Sequence, residues 1–149
     1  MFMEIFMKPV KIRIVSITKD NNGEQQTEHI SFGQLHEKNG KCYAMYEESA
    51  VTGMEGARTT LKWDDERLVI LRSGSLDHRQ EFCRGLVDKS VYKTPYMDIP
   101  LETATTYYYS YFRGGVWHID LEYTLSHGHE PYGEMKIMIE IEEDKKGGH

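Results

Sequence analysis

The stretch Gly114-Gly115-Val116-Trp117-His118-Ile119-Asp120-Leu121-Glu122-Tyr123-Thr124-Leu125 decides the fold class. Trp117, Ile119, Leu121, Tyr123 and Leu125 alternate with His118, Asp120, Glu122 and Thr124. A period of two puts each set on one face of a β-strand. The glycine pair ahead of it accepts positive φ at both central positions of a tight hairpin turn, so the preceding strand runs back alongside. Downstream, Met135, Ile137, Ile139 and Ile141 alternate with Lys136, Glu140 and Glu142; upstream, Val10, Ile12 and Ile14 alternate with Lys11 and Arg13. Each strand has one buried face and one wet face.

The same punctuation recurs along the chain. Asn22-Gly23 and Asn39-Gly40 are further two-residue turn pairs; Asp64-Asp65, Ser73-Gly74-Ser75 and Arg84-Gly85 are weaker ones. Thr94-Pro95 to Pro100 and Ser126 to Gly133 read as looser connections. The runs between these marks predict ten strands, at 10–19, 25–37, 41–48, 57–63, 67–72, 77–84, 87–93, 101–112, 116–126 and 134–142. Only Glu47 to Gly56 and the first few residues could host a helical turn. No repeat or linker divides the chain, so one all-β domain spans 1–149, with flexible ends at 1–8 and 143–149. Consecutive hairpins leave two exposed sheet edges, and closing the sheet removes them. A closed antiparallel up-and-down barrel of about 8–10 strands is therefore expected, with a two-sheet sandwich as the architectural alternative.

Composition narrows the function. The 149 residues carry 18 basic and 24 acidic side chains, a net charge of −6. Phosphate binding needs a basic face, so neither a nucleic-acid partner nor an anionic membrane surface is expected. No run approaches the roughly 20 apolar residues that span a bilayer. The first seven residues lack the basic lead and cleavage site of a secretory signal. Two cysteines far apart, Cys42 and Cys83, then read as reduced thiols in a cytoplasm. The closing Lys145 to His149 reads as a solvated end.

Few residues offer chemistry. Tyr107-Tyr108-Tyr109-Ser110-Tyr111-Phe112 is the most unusual segment. On a regular strand it divides into Tyr107, Tyr109 and Tyr111 on one face and Tyr108 and Phe112 on the other. One set could wall a pocket with apolar rings and polar tips, although tyrosine-rich strands also pack well with no ligand. Arg72 follows Leu68 and Ile70 at the strand period and so points inward, where a guanidinium needs an anionic or hydrogen-bonding partner. Glu48, on the face of Cys42, Ala44 and Tyr46, is an internal candidate for that partner. His127-Gly128-His129 with Glu134 has a superficial metal-site spacing, but the glycines and Pro131 around it read as a loop. There is no nucleophile elbow, phosphate-cradling loop, Cys-x-x-Cys or His-Glu-x-x-His. Cys83 beside Arg84 reads as a small core residue, not a nucleophile. Neither an enzyme nor a cofactor or metal is expected.

With these residues in place, the chain resembles the YwiB-like bacterial family of unknown function. The ordered set is Tyr46-Glu47-Glu48, Gly53, Thr59-Thr60-Leu61, Leu71-Arg72-Ser73-Gly74, Phe82, Tyr92-Lys93-Thr94-Pro95-Tyr96, Thr103, Gly114-Gly115 and Tyr123-Thr124-Leu125. The resemblance runs from Val10 to Glu142. It implies a lipocalin-like (calycin) β-barrel in a bacterial cytoplasm and transfers no activity. Lipocalin-like barrels hold small hydrophobic molecules, and fatty-acid-binding barrels anchor a carboxylate with internal arginine and tyrosine. By that analogy of fold, Arg72 would anchor a small anionic or amphipathic ligand, with Tyr46, Tyr92, Tyr107 and Tyr123 as its surroundings. The first strand reads Val10-Lys11-Ile12-Arg13-Ile14, where secreted lipocalins carry Gly-x-Trp. The alternative is an interaction scaffold that self-associates through outer aromatics, Tyr108 and Phe112 among them, so that the protein is a monomer or a homodimer.

Overall fold

A computed structural model describes residues 7–128 and 130–145. It contains ten strands: β1 (Lys8–Asp20), β2 (Gly23–Lys38), β3 (Lys41–Glu47), β4 (Ala57–Trp63), β5 (Arg67–Gly74), β6 (His78–Cys83), β7 (Val87–Lys93), β8 (Asp98–Arg113), β9 (Val116–His127) and β10 (Glu130–Glu143). All ten expected strands are present. A single 3-10 turn, Ala50–Thr52, lies inside the segment read as able to host one. The first few residues, the other segment so read, lie outside the described residues.

The strands form one sheet in the order β6-β5-β4-β3-β2-β1-β10-β9-β8-β7. Every pairing is antiparallel, and β1 against β10 joins the two ends of the chain. The result is a nearly closed up-and-down barrel. Pairing also reaches into the segments read as flexible, since Lys8 stands opposite Leu35 and Glu143 opposite Val10. Residues 1–6 and 146–149 lie outside the described residues.

Two of the three strong turn signals form as read. Asn39 and Gly40 take φ of 55° and 76°, and Gly114 and Gly115 take 60° and 81°, as two-residue hairpins require. The first turn is shifted by one residue. Asp20 stands opposite Gly23, which puts Asn21-Asn22 at the tip. The cause is local: the Asp20 carboxylate accepts the Asn22 N–H at 2.7 Å and fixes the bend there. The segment 126–133, read as a loop, is instead strand on both sides of a tight turn, with an irregularity in register between Pro131 and Gly133.

The apolar face of each strand turns inward. Ile12, Leu61, Trp63, Leu68, Phe82, Ile119, Leu121, Ile139 and Ile141 are essentially sealed from solvent. Each large side chain contributes about 1.5–3 kcal/mol by leaving water. Trp63 meets Trp117 edge to face at 5.8 Å, and Phe82 meets Tyr123 at 4.8 Å. Where β2 crosses β3, a Cβ on Gly33 would stand 2.0 Å from the Met45 carbonyl oxygen, so only glycine lets the two backbones approach this closely.

Two irregularities position the interior. In β8 the register against β9 shifts between Thr105 and Tyr107, so Thr106 is an extra residue. A bulge of this kind resets the alternation: Thr103 and Thr105 face inward before it, Tyr108 and Ser110 after it. The other irregularity is the seam where edge strands β6 and β7 meet. Among the described residues one backbone bridge joins them, between Asp77, just ahead of β6, and Lys93, with both hydrogen bonds at 2.9 Å. Beyond it, side chains span the gap. His78 Nε2 lies 2.9 Å from Ser90 Oγ, Gln80 Nε2 donates to Thr103 Oγ1 at 2.8 Å, and the Glu81 N–H donates to Asp88 Oδ2 at 3.0 Å.

Candidate functional site

The inward residues of β3 to β8 change from apolar to polar along the barrel. Cys42, Trp63, Leu68 and Phe82 occupy one end of their strands; Tyr46, Glu48, Thr59, Arg72, His78, Gln80 and Thr103 occupy the other. Glu48 continues the face of Ala44 and Tyr46 just past the end of β3, and Thr59 brings its hydroxyl to the Glu48 carboxylate, donating at 2.5 Å. Arg72 stands opposite Thr59 on β5 and His78 opposite Arg72 on β6. Strand pairing alone therefore lines up Glu48, Thr59, Arg72 and His78.

Arg72 and Glu48 form the charged centre of this group. Nε of Arg72 lies 3.7 Å from Oε2 of Glu48, close enough for an ion pair and too far for a hydrogen bond. The Glu48 side chain is 1% exposed and that of Arg72 17%. Among the described residues, the Arg72 guanidinium makes no hydrogen bond. Its Nε, Glu48 Oε1, His78 Nδ1, Thr105 Oγ1 and His29 Nε2 are buried without a protein partner. Buried polar atoms are nearly always hydrogen-bonded, so these five, of seven such atoms among the described residues, with Trp63 Nε1 and His36 Nδ1 the others, make the polar end of the interior the candidate site.

The titrating groups there are held neutral. Burial raises the Tyr46 hydroxyl, with the Glu48 charge adding to it. Burial also pushes Tyr123 up to about 12, against the opposing influence of Arg72. His78 falls to about 4, first through burial and then through Arg72. At neutral pH the site thus offers two phenolic hydroxyls and a neutral imidazole beside the Arg72–Glu48 ion pair.

Of the five residues selected from sequence, Arg72, Tyr46 and Tyr123 converge here. Tyr92, on β7, joins them through His78, their rings meeting edge to face at 5.3 Å. Tyr107 does not. The Thr106 bulge sends it outward, where the Arg84 guanidinium sits over its ring at 5.3 Å. The same bulge corrects the outer-patch reading: Tyr108 is buried and donates from its hydroxyl to the Asp64 carbonyl at 2.8 Å, while Tyr109 and Phe112 are exposed. Tyr109, Tyr111 and His118 stack in sequence on the outer face, at 5.2 and 4.6 Å. His78, Gln80, Ser90, Thr105 and His29 were not found by sequence reasoning. A signal existed for two of them, because His78, Gln80 and Phe82 alternate with Arg79 and Glu81.

Five surface depressions of about 310 to 570 Å³ lie elsewhere. Tyr123 and Tyr46 each border one; Arg72, Glu48, His78 and Tyr92 border none of the five. In the segment His127 to Glu134 considered for a metal, His127 stacks on Tyr132 at 6.0 Å, and His129 lies outside the described residues. Among the described residues no three His, Cys, Asp or Glu side chains converge as metal ligands.

Three likenesses to known proteins bear on this arrangement. A family described as "Domain of unknown function (DUF1934)" matches residues 11–139. The uncharacterized beta-barrel protein YwiB of Bacillus subtilis (strain 168) is 25% identical over 97 residues, covering 65% of this chain and 67% of that protein. The crystal structure of the YwiB protein from Bacillus subtilis superimposes with a TM-score of 0.84, at 20% identity, over 95% of this chain and 96% of that one. At this identity the superposition establishes the fold.

Proposed function

The chain belongs to the DUF1934 family, and from that premise, with no activity to inherit, we propose that it binds a small amphipathic or anionic ligand in the polar end of its barrel. The observation that carries this reading is Arg72, a largely buried guanidinium with no hydrogen bond to any described residue. A guanidinium shielded from water gains most from a planar acceptor such as a carboxylate. Tyr46, Tyr92 and Tyr123 supply rings that pack and hydroxyls that donate, as ligand pockets require. Around them, half-buried Leu125, Met135 and Ile137 pack on the core and offer an apolar wall for a ligand's body. The reading takes the barrel as lipocalin-like in use, a non-enzymatic container. Free Cys42 and Cys83 support a reducing, cytoplasmic setting.

Native mass spectrometry of gently purified protein tests it. A small molecule should copurify with the wild type and be lost from Arg72→Met. A wild-type mass equal to that of the bare chain, together with no response to added carboxylates, would overturn the reading.

A second reading has its own observation. Tyr109 and Phe112 are more than half exposed, beside the outer stack of Tyr111 on His118. Aromatic rings are favoured at interface cores, so this face would join two copies into a homodimer. Sedimentation across a hundredfold range of concentration decides between monomer and dimer, and Tyr109→Ser with Phe112→Ser should abolish any dimer.

A further inference from the structure

The charges at the polar end already balance, and that constrains what can bind. A ligand that is only an anion would satisfy Arg72 but bring its charge beside the buried Glu48 carboxylate, 3.7 Å from Arg72 Nε. Like charges in a poorly solvated site repel strongly. Such a ligand would also leave Glu48 Oε1 without a donor, as it stands now, and a buried acceptor left unpaired carries a penalty. The other carboxylate oxygen, Oε2, is occupied by the Thr59 hydroxyl, so any new donor must come to Oε1. Of the protein groups at hand, the Tyr46 hydroxyl lies beside Glu48 and Thr59 yet leaves Oε1 without a hydrogen bond, and His78 Nε2 is engaged with Ser90. The guanidinium needs an acceptor and the carboxylate needs a donor, a few ångströms apart.

Resting on the ligand-binding reading above, we infer that the site takes an amphiphile with a zwitterionic head: a carboxylate for Arg72 and an ammonium for Glu48 Oε1, on adjacent atoms, as in an α-amino acid. The head is neutral overall, so the charge balance of the interior survives binding. Its two ends satisfy both unpartnered groups at once. The apolar tail lies toward Leu125, Met135 and Ile137, partly buried side chains that pack against the core.

Three probes sharing a ten-carbon chain separate this from the broader reading. Calorimetric titration of the full chain with 2-aminodecanoic acid, decanoic acid and decylamine, each below its micellar concentration, gives their ranking. The zwitterion should bind roughly ten- to hundredfold more tightly than either singly charged probe, the weight of one or two charge-assisted hydrogen bonds. Glu48→Gln should reverse the order of zwitterion and anion, since it removes both the repulsion and the partner of the ammonium. Circular dichroism of that variant confirms that it is folded, and the wild-type ranking stands on its own if it is not. Decanoic acid binding as tightly as the zwitterion, or more so, overturns this inference and leaves the ligand-binding reading intact. Preference for decylamine also overturns it. No binding by any of the three overturns both.

Discussion

Arg72 Nε and Glu48 Oε2 face each other at 3.7 Å inside the barrel, an ion pair with no hydrogen bond along its axis. Pairs of this kind contribute little by existing but are costly to break, because removing one partner strands the other charge away from water. Arg72→Met should therefore destabilise the protein by about 3 kcal/mol, leaving a carboxylate buried alone. Replacing both, as Arg72→Met with Glu48→Met, should return stability to within about 1–2 kcal/mol of wild type, the remainder reflecting the Thr59 hydroxyl that loses its acceptor. Urea unfolding of the two single variants and the double variant measures the coupling. Losses that simply add would mean that the two side chains do not act as a pair.

His78 makes stability depend on pH, in a direction that can be worked out. Its pKa in the folded protein is about 4, against an ordinary value of 6.5, because burial and Arg72 oppose its protonation. Between those values the unfolded chain binds a proton that the folded chain does not, so stability falls as pH drops from 6.5 toward 4. The imidazole is neutral in both states above that window, and no further loss accrues below it. Allowing for partial screening, the loss is on the order of 1–3 kcal/mol. His78→Gln can keep a hydrogen bond to Ser90 and cannot titrate. The difference in unfolding free energy between wild type and this variant should shift across pH 6.5 to 4 and be flat above pH 7. A constant difference throughout would remove His78 as the cause.

The two thiols differ by environment. Cys42 lies in the core, and burial together with the charges of Glu37 and Asp65 pushes its thiol up to about 12. Cys83 is only half-buried. Thiolate is the reactive species, so a colourimetric disulfide reagent at pH 8 should titrate one thiol per native chain, at Cys83, and a second only after denaturant is added. Mass mapping that finds Cys42 modified first in the native protein would contradict this placement.

Strand positions were readable because each strand keeps one face in the core and one in water, which imprints a period of two. That imprint also aligned Arg72 with Leu68 and Ile70 and set Glu48 on the face of Tyr46, and the structure brings both to the same interior end. The imprint fails where the backbone breaks its own repeat. Thr106 adds one residue to β8 and exchanges the faces after it, so Tyr107 and Tyr108 trade the roles that strict alternation would assign. No residue at 105–107 is a glycine or proline that would announce the bulge. The seam was equally silent. Arg84-Gly85 reads as an ordinary hairpin turn, and whether the strands beside it complete their ladder depends on closure of the whole barrel.

Gly33 offers a test of packing that is independent of any ligand. A methyl group there would meet the Met45 carbonyl oxygen at 2.0 Å, a contact with backbone that no side-chain rotation relieves. The φ of Gly33 is not in the left-handed region, so the clash alone is responsible. Gly33→Ala should lower stability by about 1–3 kcal/mol, typical of overpacking, and reduce the thermal midpoint by roughly 2–4 °C for each kcal/mol in a domain of this size. An unchanged midpoint would mean that β2 and β3 separate freely at this crossing.

The β6–β7 seam should be the first part of the barrel to open. Antiparallel pairing alternates, so the Asp77–Lys93 bridge fixes which backbone groups of β7 face β6: those of Lys93, Val91 and Lys89. Ser90 and Tyr92 face β8 instead, opposite Leu101 and Ile99. Pro100, which has no N–H to give, stands opposite Val91, a position where no hydrogen bond across that pair is required. No backbone bond among the described residues crosses from β6 to Lys89 or Val91; side chains of His78 and Asp88 bridge β6 and β7 instead, and Gln80 reaches past β7 to Thr103 on β8. The amides of Lys89 and Val91 should therefore exchange with solvent faster than those of Ser90 and Tyr92 by roughly two orders of magnitude or more, although all four lie on one short strand. Residue-resolved hydrogen exchange reads this directly. Ser90→Ala should widen the difference by removing the partner of His78, because the seam depends on such side-chain bonds. Equal protection along β7 would mean that a complete backbone ladder closes the barrel in solution.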